Sequence, residues 1–280
     1  MFVSLLLLAA ADPAALATAC RGRDGWADPA PPARIAEGVY DVGTCGITVV
    51  LVTTPEGAVL TDAGPAEAAP LVAANIERVG VKLTDVRYIL SGHEHHDHAG
   101  GFAELQRRTG ARLIVSEQAR AAIESGTADP ADPQFLSLKP FKRTPVAWTV
   151  PDGGHLKLGG TMFTAIATPG HSPGATSWTW ASCEGSTCKT VVYADSLSAV
   201  AAPGYRFRDH PDAVKTLRAS IAKVRALPCD LVLTPHPAAS NLFPRLAGQA
   251  PLADPTGCQR YADAATIALD ARLAQEARRR

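Results

Sequence analysis

Val86-Arg87-Tyr88-Ile89-Leu90-Ser91-Gly92-His93-Glu94-His95-His96-Asp97-His98-Ala99-Gly100-Gly101 is the stretch that decides how this chain reads. Val86 to Leu90 has the length and the branched and aromatic content of a strand. The loop after it carries four metal-binding side chains, His93, His95, Asp97 and His98, within six residues and between glycines. Such groups can converge on a cation but cannot bury themselves in a core without partners. His93 and His95 alternate on an extended segment and can therefore point to one side. The pattern points to a metal-dependent hydrolase, because water held by zinc ionises near neutral pH and needs no serine or cysteine nucleophile.

Outward from this loop, strand and helix alternate. Ile47 to Thr53 and Ala58 to Asp62 are apolar runs around Pro55-Glu56-Gly57, a hairpin signature. Helix is expected over Ala66 to Val79, where Val72, Ile76 and Val79 keep helical spacing, and again over Gly101 to Thr109. A strand follows at Ala111 to Ser116. Gly126 to Lys142, rich in Asp and Pro, reads as a long surface loop of the kind that often covers a site. Four strands are expected in the second half, at Val146 to Val150, Thr161 to Ala167, Thr176 to Ala181 and Thr190 to Asp195. Helix Pro211 to Leu227, strand Leu231 to Leu233 and a final helix from Cys258 complete the chain. Two strand-rich halves with helices outside predict an α/β fold, a four-layer αββα sandwich.

At strand ends three more segments present polar groups. Thr168-Pro-Gly-His171-Ser-Pro-Gly174 and Thr234-Pro-His236-Pro237 restrain a histidine with prolines, and Asp195-Ser196-Leu197-Ser198 closes a strand. His93, His95 and His171 make one three-histidine set; Asp97, His98 and His236 make a second. Catalytic zinc takes ligands of these types and leaves a position for water.

With 280 residues, 46% of them hydrophobic and 19% charged, the chain can bury a large single core. A formal net charge of zero offers no footprint for nucleic acid or an anionic membrane surface, and a small neutral or anionic substrate and a monomer are expected. Arg278-Arg279-Arg280 reads as a solvated helix end. Phe2 to Ala11 is apolar but too short to span a bilayer, and Ala17-Thr18-Ala19 suits a signal peptidase. Residues 1–19 are thus expected to be a signal peptide and 20–280 the mature domain, exported to the periplasm. No basic residue follows Met1, which points to a start upstream. Acylation of Cys20 as a lipoprotein ranks second, because Ala17 stands where such a motif usually has Leu.

Six cysteines, none in a CxxC pair, fit an oxidising compartment. Cys183 and Cys188 flank a short turn and are the safest pair. Of the fifteen possible connectivities, the favoured one adds Cys20–Cys45 and Cys229–Cys258.

The order His93-x-His95-x-Asp97-His98, His171, His236 resembles the metallo-β-lactamase superfamily over essentially the whole mature chain. The segments around His171, Tyr193-Ala-Asp-Ser196-Leu-Ser198 and His236 are similar to the third subclass of class B β-lactamases, and the cysteine placement resembles a subset with three disulfides. This resemblance implies two Zn2+ ions and opening of the β-lactam amide bond of penicillins, cephalosporins and carbapenems by a metal-bound hydroxide that Asp97 orients. It also implies that Ser196 and Ser198, the latter foremost, face the substrate carboxylate. Asp195 is then a support for a ligand or for the fold, although glyoxalase-like relatives use an aspartate in a similar segment as a bridging ligand. The alternative is an exported hydrolase of a lactone, thioester or phosphoester on the same fold. A diiron redox protein would need a carboxylate where His95 stands, and a noncatalytic zinc protein would fill the open positions.

Other residues carry plainer readings. His96 is expected to point away from the ligand cluster, and His155 and His210 to be structural or exposed. Asp62 either holds a ligand histidine or caps a turn. Trp26 is expected to pack rather than to wall the groove, and Trp178 and Trp180 to be core.

Overall fold

The computed structural model describes residues 11–278. It begins with α1 (Pro13–Ala19), where Pro13 suits the first turn and Asp12 caps it by accepting from the Ala14 N–H at 2.9 Å. Strands β1 (Ala33–Ala36), β2 (Val39–Asp41), β3 (Val50–Thr54) and β4 (Gly57–Thr61) form an antiparallel meander. Then follow α2 (Ala69–Arg78), β5 (Val86–Leu90), the helical turn α3 (His96–Ala99), α4 (Phe102–Thr109), β6 (Arg112–Ser116), α5 (Glu117–Ser125) and β7 (Trp148–Val150). β4 to β7 run parallel, so the first sheet has seven strands in sequence order. The second half supplies β8 (His155–Leu158), β9 (Thr161–Ala167), β10 (Thr176–Glu184), β11 (Thr187–Tyr193), α6 (Pro211–Ala226), β12 (Leu231–Leu233), α7 (Leu242–Leu246) and α8 (Gly257–Arg278). Its sheet is ordered β12-β11-β10-β9-β8, and within it β12 runs parallel to β11.

Side chains sort onto the two faces of each strand with the period of two that the pleat imposes. Val50, Val52, Val59, Leu90 and Ile114 of the first sheet meet Phe163, Trp178, Trp180, Val191 and Tyr193 of the second in the central core. On the outer face of the first sheet, Leu51, Leu60, Ile89 and Leu113 pack on Val72 and Ile76 of α2 and Phe102 and Leu105 of α4. Val192 and Val232 do the same against Leu217, Ile221, Val224 and Leu269 of α6 and α8. The expected αββα sandwich results, with Trp178 and Trp180 in its core.

Seven elements escaped the sequence reading: α1, β1, β2, α3, α5, β8 and α7. The strands are three or four residues long, too short for a periodic signal. α5 buries Ala119, Ala122 and Ile123, a stripe with one large apolar residue. Trp26 is corrected: it is 44% exposed, with its ring 5.6 Å from His96 and 6.1 Å from His236. His155 and His210 sit outside the site, on β8 and stacked on Tyr205.

All six cysteines pair as favoured, Cys20–Cys45, Cys183–Cys188 and Cys229–Cys258. Cys183 and Cys188 face each other across the β10–β11 ladder. The expected leader is apolar from Phe2, but its residues 1–10 lie outside the described ones. Within it, α1 lies against the body, Leu16 is 1% exposed in the central core, and Ala11 accepts from the Arg34 N–H at 2.8 Å. At the other end α8 reaches Arg278, and Arg279 and Arg280 lie outside the described residues.

Asp41, at the end of β2, accepts from the N–H groups of Gly43 at 3.0 Å and Val49 at 3.3 Å, while its Oδ2 has no partner. Burial pushes its carboxyl up to about 7 against those two bonds. The folded chain therefore holds this proton more tightly than the unfolded chain, whose carboxyl titrates near ~3.9. The contribution is complete below that range and lost as pH rises through about 7. Asp41→Asn should flatten this fall: the difference between wild-type and variant urea midpoints is expected to change between pH 5 and pH 8. A constant difference would refute it.

Candidate metal centre

The site lies where strands of both sheets end. Thr61 closes β4, and the next residue, Asp62, adopts φ +62°, a left-handed conformation that aspartate tolerates better than most side chains. After β5, the Gly92 N–H donates to Asp62 Oδ1 at 2.6 Å. A Cβ on Gly92 would lie 2.9 Å from Asp62 Oδ2 and 3.0 Å from Asp195 Oδ1, so only glycine lets both carboxylates approach the loop. The loop is tied to β10 by Thr176 N–H to Gly92 O at 2.7 Å and Trp178 Nε1–H to Ser91 O at 2.9 Å. The turn α3 then folds Asp97 and His98 back over His93.

The rings of His93, His95 and His171 form a triangle with centroids 4.6, 5.0 and 4.9 Å apart. Beside it, His98 Nε2 lies 3.1 Å from Asp97 Oδ2 and 3.3 Å from His236 Nε2, and His236 Nε2 is 3.5 Å from Asp97 Oδ2. The His93 and His98 rings are 4.2 Å apart, so the two sets share a boundary. Ligand atoms of His93, His95 and His171, and those of His93, Asp97 and His98, each fall within 4.8 Å of one another. All six expected ligands are therefore brought together.

Four of the five histidines have their other nitrogen hydrogen-bonded, which fixes ring and tautomer, and the fifth, His98, has only the proximity of a carboxylate. His93 Nδ1 is 2.8 Å from Asp195 Oδ1, and His95 Nε2 donates to Asp132 Oδ2 at 2.8 Å. His98 Nδ1 stands 3.3 Å from Asp62 Oδ2. His171 Nδ1 is 3.0 Å from both the carbonyl and the hydroxyl of Ser198, and His236 Nδ1 donates to Gly46 O at 3.2 Å. His95 thus presents Nδ1 to a ligand and the other four present Nε2, that of His171 lying 3.4 Å from Gln134 Nε2. His93 Nε2 is buried without any partner, an arrangement that costs free energy unless an electron-pair acceptor sits there. The donor set fits a divalent metal such as zinc.

Burial and the neighbouring imidazoles keep His93 and His171 well below the usual histidine range, and push His236 down to about 4. These rings are neutral, the form that binds metal. Burial alone would raise Asp97, but His98 outweighs it and holds the carboxyl ionised. Burial opposes a charge on His98, yet Asp97 and Asp62 hold it up to about 10. A proton and a metal ion compete for this place.

Asp195 engages His93, and burial beside Asp62 pushes its carboxyl well above the usual range. Asp62 does more than cap a turn, since it touches Gly92, His98 and Tyr193. Ser196 is buried, whereas Ser198 is exposed at the rim, and His96 lies against Trp26. The Ser196 segment is held by Tyr261, whose hydroxyl donates to Asp195 O at 3.1 Å and accepts from Leu197 N–H at 3.0 Å. Sequence reasoning missed Asp132 and Glu94. Glu94, 2% exposed, accepts from Ser172 Oγ and Gly174 N, both at 2.8 Å, clamping the His171 loop to the His93 loop. Its place between two ligands was visible, but its direction was not.

The profile of the metallo-beta-lactamase superfamily matches residues 42–236. Among solved structures, the metallo-β-lactamase MIM-1 from Novosphingobium pentaromativorans is 49% identical with a TM-score of 0.91, over 95% of this chain and 98% of that one. SMB-1 is 41% identical at a TM-score of 0.87, over 90% and 99%. MEM-A1, a subclass B3 enzyme from a soil metagenome, is 41% identical at 0.87, over 91% and 100%. The hydroxyacylglutathione hydrolase of Rhodopseudomonas palustris strain HaA2 is 30% identical over 183 residues, 65% of this chain and 59% of that protein. The chain thus spans less than two thirds of the length of this relative.

Proposed function

Because the chain belongs to the metallo-β-lactamase superfamily, we propose that it is a zinc β-lactamase of the B3 kind, opening the amide bond of penicillins, cephalosporins and carbapenems. One observation carries this: six ligands in two adjoining sets, four of the five histidines hydrogen-bonded from behind and His98 beside Asp62, in a chain 41% to 49% identical to solved metallo-β-lactamases. His93, His95 and His171 would hold one zinc, and Asp97, His98 and His236 a second. Zinc bound there supplies a Lewis acid and brings the pKa of water down to about 7. Asp97, already ionised in the metal-free site, would orient the attacking water and offer a carboxylate oxygen for its proton. The exposed Ser198 hydroxyl, with Ser196 behind it, is suited to the substrate carboxylate, and Trp26 and His96 offer an apolar shelf.

A thioester hydrolase is the second reading, favoured by the hydroxyacylglutathione hydrolase relatives. Against it stand their lower identity and the engagement of Asp195 with His93. The deciding experiment is hydrolysis of a carbapenem and a cephalosporin, repeated after chelation and after zinc is returned. Turnover that chelation abolishes and zinc restores is expected, with two zinc ions per chain. Zinc-loaded protein that cleaves a glutathione thioester and spares both drugs would overturn the proposal.

The protein would act as a periplasmic monomer. Three disulfides support export, and among the described residues no helix is long and apolar enough to cross a membrane. The Cys20–Cys45 bond uses the sulfur that a lipid anchor would need. The buried Leu16 favours a leader cut ahead of α1 over one after Ala19, and the intact mass of the exported protein distinguishes the two.

A further inference from the structure

The segment between α5 and β7, residues 126–147, contains neither helix nor strand. Its base is fastened by Phe141 N–H to Gly126 O at 2.9 Å and Thr144 N–H to Ile123 O at 3.1 Å. Its outer part is mostly exposed, with Phe135 at 39% and the apolar Leu136 at 80%. Asp132, 3% exposed, and its neighbour Pro133 are the exceptions, buried in the midst of this loop. One carboxylate oxygen accepts from the Gln134 N–H at 2.7 Å and shapes the turn, and the other accepts from His95 Nε2 at 2.8 Å. The next residue, Pro133, accepts from the Ala202 N–H at 2.9 Å, joining the loop to the chain beyond Ser198.

We propose that Asp132 is a positioning residue that couples the order of the 126–147 loop to metal binding at the three-histidine set. With Asp132 in place, the His95 proton stays on Nε2 and Nδ1 is left free for metal, oriented by the same bond. When the loop lifts away, that constraint on ring and tautomer goes with it. Coupling of this kind is reciprocal, so metal held by His95 favours the docked loop as much as the docked loop favours metal. The loop that carries the exposed Phe135 and Leu136 is thereby ordered in the metal-loaded protein. The inference rests on the metal reading of the site and is independent of the substrate.

The test compares wild type with Asp132→Ala, Asp132→Asn and Leu136→Ala. Zinc and cobalt affinity are measured by competition with a chromophoric chelator, and backbone hydrogen exchange over residues 127–139 is followed with and without metal. Asp132→Ala is expected to weaken binding at the three-histidine set by ~10- to 100-fold. Asp132→Asn, which keeps an acceptor oxygen, should recover most of this loss, and Leu136→Ala should bind metal like wild type. Metal should slow loop exchange in wild type but not in Asp132→Ala. Affinity of Asp132→Ala within about twofold of wild type, or wild-type loop exchange indifferent to metal, would overturn the proposal. If Asp132→Ala fails to fold, the asparagine variant and the wild-type exchange decide: an asparagine variant as weak as a chain without an acceptor counts against it. Wild type that binds neither metal overturns the metal reading and this inference with it, whereas metal binding without β-lactam turnover overturns only the proposed substrate.

Discussion

His93→Ala is expected to empty the three-histidine set, to loosen the adjoining set and to lower β-lactam turnover by at least ~10³-fold, because water without that zinc ionises far above the pKa of ~7 that zinc gives it. His93 belongs to both groups of converging ligand atoms. It is fully buried, and its ring stands 4.6 Å from His95, 5.0 Å from His171 and 4.2 Å from His98. Among the six ligands only His93 lies in both groups, so no other single substitution disturbs both. The variant should fold, because burial already holds Asp195, the carboxyl left behind, well above the usual range and it can stay protonated. Metal analysis and turnover on the same preparation check this. Two zinc ions per chain with undiminished turnover would show that His93 is no ligand.

The second large effect is on stability. Asp62→Ala is expected to cost about 3–5 kcal/mol, the range for removing one partner of a buried charged network, and to weaken metal at the Asp97, His98 and His236 set by ~10- to 100-fold. Asp62 is fully buried and accepts from the Gly92 N–H and the Tyr193 hydroxyl, both at 2.6 Å, beside His98 at 3.3 Å. Alanine would leave those donors without acceptors and would also have to hold φ +62°. Asp62→Asn keeps an acceptor and should lose less. Urea unfolding with and without zinc measures both terms. A loss below about 1 kcal/mol, the size of an ordinary exposed hydrogen bond, would mean that Asp62 merely caps the turn.

Much of this site is legible in one dimension because its ligands need rare side chains. Four of six fall within six residues, and His171 and His236 are marked by the prolines that frame them. The strands that carry them are equally legible: Val86–Leu90, Thr161–Ala167 and Leu231–Leu233 coincide with their expected bounds. Legibility fails where an element is short or its apolar stripe is made of alanine, as in β1, β2 and α5. It fails too for Trp26, whose position beside His96 and His236 follows from how the N-terminal arm is pinned. The bond from Thr44 Oγ1 to Trp26 O at 2.8 Å and the Cys20–Cys45 bridge hold that arm.

Sequence by itself determined which residues can bind metal and the four-layer architecture, and it favoured, among fifteen, the cysteine pairing that the fold makes. Those properties depend on side-chain chemistry and on periods of two and 3.6, which are written locally along the chain. Tertiary structure alone decided which group holds each ligand from behind. Asp195 lies 102 residues from His93, Asp132 37 from His95, and Gly46 190 from His236. An acceptor for an imidazole N–H can be any carboxylate or backbone carbonyl. Composition therefore cannot single one out, and only the folding of both sheets onto one edge makes the choice.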